Sequence, residues 1–144
     1  MSTASDTHLT EILSRTRTIA LVGFSNNPDR ASHKVARYLA ERGYRVIPVN
    51  PGLAGQSFMG EEIVADLGQI PPEAKVDMLD VFRRSELAAA VVEEALATLP
   101  DLETIWLQIG VTSEDARAMA DAKGLGFVEN HCPKIEHARL FGES

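Results

Sequence analysis

Apolar and polar positions fall along the chain in blocks whose period switches between that of a helix and that of a strand. Within residues 1–16, Leu9, Ile12 and Leu13 stand at helical spacing and predict a leading helix. Ile19, Ala20, Leu21 and Val22 then form a continuous apolar run, suited to a strand buried on both faces of a parallel sheet. Gly23 ends it. After the polar segment Ser25 to Ala31, Ser32 is the expected N-cap of a helix reaching Arg42, with Val35, Ala36, Leu39 and Ala40 on one face. Gly43 suits the left-handed position after that helix. Tyr44 to Val49 reads as the second strand, closed by the turn chemistry of Asn50-Pro51-Gly52.

Residues 52–60 read as a loop, Glu61 to Leu67 as a short helix, and Pro71-Pro72 as a stop. Val76 to Phe82 is the third strand; its acidic residues place Asp77 at the strand start and Asp80 near the sheet's edge or mouth. Ser85 to Leu99 predicts an alanine-rich helix capped by Ser85 and followed by Pro100. Thr104 to Gln108 is the fourth strand. Thr112 or Ser113 caps a helix from Glu114 to Lys123, Gly126 to Glu129 is a short fifth strand, and Pro133 to Leu140 is a final helix. Strands alternating with helices predict an α/β, Rossmann-like, doubly wound parallel sheet of about five strands with helices on both faces. Ligands of such sheets sit at the carboxyl ends of the strands, near the switch in strand order. That rule selects residues 23–32, Asn50-Pro51, residues 82–84 and residues 108–110.

Composition narrows this picture. A chain of 144 residues fits one domain, able to bury roughly two-thirds of its unfolded surface without staples. The net charge of −7 disfavours a broad nucleic-acid footprint. No apolar run has the length of a membrane span, and the first residues lack the plan of a signal peptide, so a cytoplasmic protein is expected. A single cysteine, Cys132, excludes an internal disulfide and suits a reducing compartment.

A strand pointing into a helix N-terminus presents backbone N–H groups and a positive dipole end to an anion, so the default ligand is a phosphate. The loop reads G-F-S-N-N-P where a dinucleotide fingerprint wants G-x-G-x-x-G, so Ser25 and Pro28 stand at two of the glycines. Strand 2 ends in Asn50 where an NAD site carries an acid for the ribose. Both departures count against a nicotinamide or flavin cofactor. The segments G-F-S-N-N-P-D-R-A-S-H-K-V, V-I-P-V-N-P, D-V-F-R-R, W-L-Q-I-G and H-C-P-K-I-E-H together resemble the small single-domain CoA-binding proteins of bacteria. Their fold is similar to the N-terminal CoA-binding domain of the succinyl-CoA synthetase α subunit. The resemblance implies coenzyme A or an acyl-CoA lying across the carboxyl edge of the sheet.

CoA carries an ADP with an extra 3′-phosphate and needs hydroxyl, N–H and cationic donors close together. Gly23, Ser25 and the start of the helix are candidates for the diphosphate, with Phe24 and Ser32 in the same loop. Arg30 and Arg83 are the arginines best placed to reach phosphates. Asn50 and Pro51 are expected as a wall under the adenosine, Val81 and Phe82 beside the base or the pantetheine arm, and Gln108 at the same mouth. His33 contacts phosphate or lies on the helix surface. Cys132, with His131, Glu136 and His137 nearby, raises a nucleophile or a metal site, but a zinc site lacks its fourth ligand and a small buried cysteine is favoured. No catalytic set assembles. A ligase activity would need a partner chain, and the rivals to a binding protein are an NAD(P)-dependent redox or sensor domain and an acyl-handling enzyme using Cys132. A protein partner or a homo-oligomer stays open.

Overall fold

The computed structural model describes residues 4–142. Helix α1 (Asp6–Arg15) starts where the Ser5 side chain accepts from the His8 N–H, and it leads into β1 (Thr18–Val22). Helix α2 (Ala31–Glu41) and strand β2 (Arg45–Val49) follow. A two-stranded antiparallel hairpin, β3 (Ser57–Phe58) with β4 (Glu61–Glu62), comes next. Then come β5 (Met78–Val81), α3 (Ser85–Thr98), β6 (Thr104–Leu107), α4 (Glu114–Ala122), β7 (Gly126–Val128) and α5 (Pro133–Phe141).

Five parallel strands stand in the order β2-β1-β5-β6-β7. The chain steps outward from β1 to β2 and then crosses to β5, so strand order reverses between β1 and β5. This is the expected Rossmann-like sheet, with helices on both faces. Period-two alternation sorts the side chains. Ala20, Val22, Leu79, Val81, Ile105 and Leu107 pack against α3 and α4 through Ala88, Val92, Ala95, Ala116 and Ala120. Ile19, Leu21, Met78 and Trp106 pack on the other face against α1, α2 and α5. An ion pair of 2.8 Å from Arg139 to Asp6 ties α5 to α1. No helix among the described residues is long and apolar enough to cross a membrane.

Four local expectations are corrected. The segment 61–67 is not a helix: Met59 and Gly60 both take positive φ, 49° and 86°, and fold the chain back into the β3–β4 hairpin. The chain then returns along the outer edge of β2, where Val64 bridges Val49, Asn50 N donates to Val64 O and Val64 N donates to Pro48 O. Asp80 is not near an edge or mouth. It lies in the middle strand, in register with Leu21 and Trp106, fully buried, with neither carboxylate oxygen paired. Burial pushes its carboxyl well above the usual range, because nothing nearby stabilises the charge. Ser32 does not cap α2, which begins after Arg30, and Ser85 does not cap α3, which begins after Arg84. The Ser85 hydroxyl instead joins the β6–α4 loop, donating to Gly110 O and accepting from Thr112 N. Ser113 caps α4 by accepting from Ala116 N, and Asp77 sits at its strand start, accepting from the N–H groups of Arg17 and Thr18.

Candidate functional site

The site begins where β1 and β5 end side by side. Gly23 leaves β1 with φ +92°, and a Cβ on it would stand 2.2 Å from the Phe82 carbonyl oxygen. Only glycine permits both the conformation and the approach. The two strand ends are sewn to their neighbours by Gly23 N to Val49 O at 3.1 Å and Phe82 N to Val22 O at 2.8 Å.

The loop after Gly23 is held by its own polar groups. Ser32 Oγ accepts from Ser25 N at 3.0 Å, and Ser25 Oγ accepts from Asn27 N at 3.1 Å. Asn50 Nδ2 donates to Phe24 O at 2.7 Å while its Oδ1 accepts from Gly52 N at 2.7 Å, so the amide braces the loop against the turn after β2. His33 is buried between the rings of Phe24 and Phe58, and its Nδ1 lies 2.9 Å from Ser25 O. A carbonyl only accepts, so Nδ1 carries the proton, and Nε2 is then free to accept from the Arg37 guanidinium at 3.2 Å. His33 is therefore a brace for the loop and is not among the residues that line the cleft beside it.

These contacts leave the start of α2 open. Arg30 occupies its N-cap position without a side-chain cap bond, and its first turn holds no acidic residue. The N–H groups of Ala31 and Ser32 have no acceptor among the described residues. They face a cleft of about 420 Å³ lined by Gly23, Phe24, Ser25, Arg30, Ala31, Ser32, Asn50 and Phe82. Unpaired donors, the positive end of the helix dipole and an arginine give this cleft the chemistry that suits an anion.

The structure thus brings seven of the expected site residues to one cleft and separates four. Val81 is fully buried on the α3/α4 face, because it alternates with Phe82, and it reaches neither base nor arm. Pro51 is exposed at the start of the turn after β2 and does not line the cleft. Arg83 lies half-buried just past β5, with no hydrogen bond or ion pair to the described residues. Gln108 lines a second, mostly apolar groove of about 460 Å³ with Ala31, Lys34, Val35, Phe82, Ile109, Cys132, Lys134 and Ile135. The groove and the cleft share Ala31 and Phe82 and so run into one another.

Cys132 is 5% exposed and belongs to the core cluster under α2 and α5. The neighbouring histidines do not converge on it. His131 Nδ1 donates to Glu129 O at 2.7 Å, and His137 Nδ1 lies 3.0 Å from the Tyr38 hydroxyl. Desolvation, then the charge of Arg42, hold the His137 imidazole below its ordinary range. No group of three His, Cys, Asp or Glu among the described residues could hold a metal ion. Sequence reasoning missed the backbone donor of Ala31 and the groove residues Lys34, Val35, Lys134 and Ile135. A signal existed for the first three: positions 31, 34 and 35 share one helix face.

Comparison with known proteins gives a consistent result. The model of a family described as a CoA binding domain matches residues 17–138. The protein YneT of Bacillus subtilis (strain 168) is 38% identical over 138 residues, covering 96% of this chain and 98% of that one. A solved Thermus thermophilus structure is 38% identical with a TM-score of 0.87, covering 96% of this chain and 100% of that chain. A hypothetical protein from Pyrococcus horikoshii OT3 is 35% identical with a TM-score of 0.87, over 96% of this chain and 94% of that one. A Rex-family repressor, 17% identical with a TM-score of 0.56, over 93% of this chain and 64% of that one, shares the fold alone.

Proposed function

Since the chain belongs to the CoA binding domain family, we propose that it binds coenzyme A or an acyl-CoA in the cleft at the β1/β5 switch point. The observation that carries this reading is the uncapped start of α2, whose Ala31 and Ser32 N–H groups open into that cleft. The diphosphate lies over these donors, with the Ser25 hydroxyl and Arg30 beside it. Arg83, unpaired just beyond the rim, reaches the remaining phosphate. Phe82 flanks the ligand at the junction of cleft and groove. Asn50 contributes to the wall, held in place by Nδ2 donating to Phe24 O and Oδ1 accepting from Gly52 N. Asn50 stands where a dinucleotide site carries an acid for the ribose diol, which favours CoA over a dinucleotide. The proposed role is binding, with no reaction assigned to it.

Isothermal titration with CoA, acetyl-CoA, ADP, NAD and NADP tests the reading. A CoA species is expected to bind at least about tenfold more tightly than either dinucleotide, and the reverse order overturns the proposal. Arg30→Ala and Arg83→Ala are each expected to weaken CoA binding about tenfold, the value of one charge-assisted phosphate contact.

A further inference from the structure

The loop between β1 and α2 is one-sided in its polar groups. The N–H groups of Ala31 and Ser32 open into the cleft without an acceptor among the described residues, while carbonyl oxygens of the same loop are occupied. Asn50 Nδ2 donates to Phe24 O at 2.7 Å, Arg30 N to Asn27 O at 3.0 Å, and His33 Nδ1 to Ser25 O at 2.9 Å. A carbonyl oxygen is the negative end of the peptide dipole, so one turned into the cleft would oppose an anion there. Of these three bonds, only that of His33 depends on a proton with two ring nitrogens to choose from. Arg37 makes the choice. Its guanidinium, one turn further along α2, donates to His33 Nε2 at 3.2 Å and lies 5.5 Å over the centroid of the Phe58 ring. An accepting Nε2 carries no proton, so the neutral ring keeps its N–H at Nδ1, facing Ser25 O. The ring is fixed from both sides, stacked 5.5 Å from Phe24 and edge-on 5.1 Å from Phe58, and it is 6% exposed.

We propose that His33 is a positioning residue for the anion site: with its tautomer set by Arg37, it holds the Ser25 carbonyl out of the cleft, so that the donors of the loop and not this acceptor meet the phosphate. The inference rests on the CoA-binding reading and deepens it, since it assigns part of the affinity to two residues that do not line the cleft. It also gives the β3–β4 hairpin a part in the site. Phe58 of β3 backs the His33 ring and carries the Arg37 guanidinium on its face, so the hairpin holds both members of the relay in place.

Two substitutions separate the ring of His33 from its proton. His33→Asn keeps an N–H donor near the Nδ1 position and loses the ring, whereas His33→Phe keeps a ring between Phe24 and Phe58 and loses the donor. Calorimetry of the full chain with CoA is expected to place the Asn variant within about threefold of wild type, although it melts lower, and the Phe variant about tenfold weaker. Arg37→Leu, made at an exposed position, frees Nε2 and is expected to weaken CoA about threefold. Heteronuclear NMR of the imidazole nitrogens in the ligand-free protein should show the Nδ1–H tautomer alone in wild type and a mixture of tautomers in Arg37→Leu. Affinity that follows the ring, kept in the Phe variant and lost in the Asn variant, would overturn the inference while leaving CoA binding intact. So would an Nε2–H tautomer in wild type. If a His33 variant fails to fold, Arg37→Leu decides: an unchanged tautomer and unchanged affinity overturn the inference. Absence of CoA binding to wild type would instead overturn the parent proposal.

Discussion

The two faces of the sheet are built to different standards. The face under α3 and α4 is closed by alanine, valine, leucine and isoleucine with one phenylalanine. The face under α1, α2 and α5 buries Asp80, His33, Ser32 and Gln108 among Trp106, Phe24 and Tyr38. Buried polar groups weaken a fold unless partnered. Some of these are partnered: His33 and Ser32 hold the loop over the cleft. Asp80 and one atom of Gln108 are not. The contrast separates a face whose residues serve folding from one whose residues also form the cleft and the groove.

The largest expected effect breaks the seam between the two faces at the strand ends. Gly23→Ala puts Cβ into the Phe82 carbonyl and forces a positive φ on alanine; denaturant titration should show a loss of about 4 kcal/mol or more, with CoA binding lost as well. Next, Leu79→Ala, fully buried on the apolar face, should cost about 2–5 kcal/mol while the folded protein keeps its CoA affinity. A matching drop in affinity would show that the two faces are not separable in this way. On the other face the sign reverses: Asp80→Val should stabilise the protein by about 1–3 kcal/mol at pH 7.

The pH dependence of Asp80 sharpens the last case. Its carboxyl is held well above 3.8 in the folded state by desolvation. Above the unfolded value, the native protein keeps a proton that the unfolded chain has released. Stability therefore falls as pH rises from about 4 toward the folded-state value. Denaturant midpoints measured at pH 4.5 and pH 8 should differ less in Asp80→Val than in wild type; an unchanged difference would show that Asp80 does not carry this slope.

The same contrast explains what could be read in advance. Ile19 to Val22 is legible as a strand because its apolar run is continuous, Val76 to Phe82 because apolar residues dominate a run that Asp77 and Asp80 interrupt, α2 because its apolar stripe is regular, and α3 and α4 because Pro100 and Gly124 mark their ends. The cleft was legible because a strand-glycine-helix order implies open N–H groups. Ser32 was misread because its hydroxyl serves Ser25, seven residues back, and not its own helix. The β3–β4 hairpin was missed because its strands are two residues long and are set by the turn at Met59-Gly60, below the reach of any periodicity. The charge of Asp80 points to the sheet's edge or mouth, while its alternation with Leu79 and Val81 places it inside. Where pattern and chemistry disagreed, pattern gave the correct position. The groove could not be seen at all from local sequence, since β5, β6, α2 and the start of α5 meet there only through the sheet order.

The return of the chain along β2 also bears on how the protein behaves when concentrated. An unpaired outer strand is a template for a second molecule to add to, the first step toward fibrils. Here Val64 takes the edge positions, donating its N–H to Pro48 O and accepting from Asn50 N, and Arg45 pairs with Glu61 at 2.8 Å across the same margin. The opposite margin is β7, only three residues long, too short to recruit a partner strand firmly. The short hairpin segment thus acts as a guard against self-association through strand addition, a protection that deleting residues 57–64 would remove.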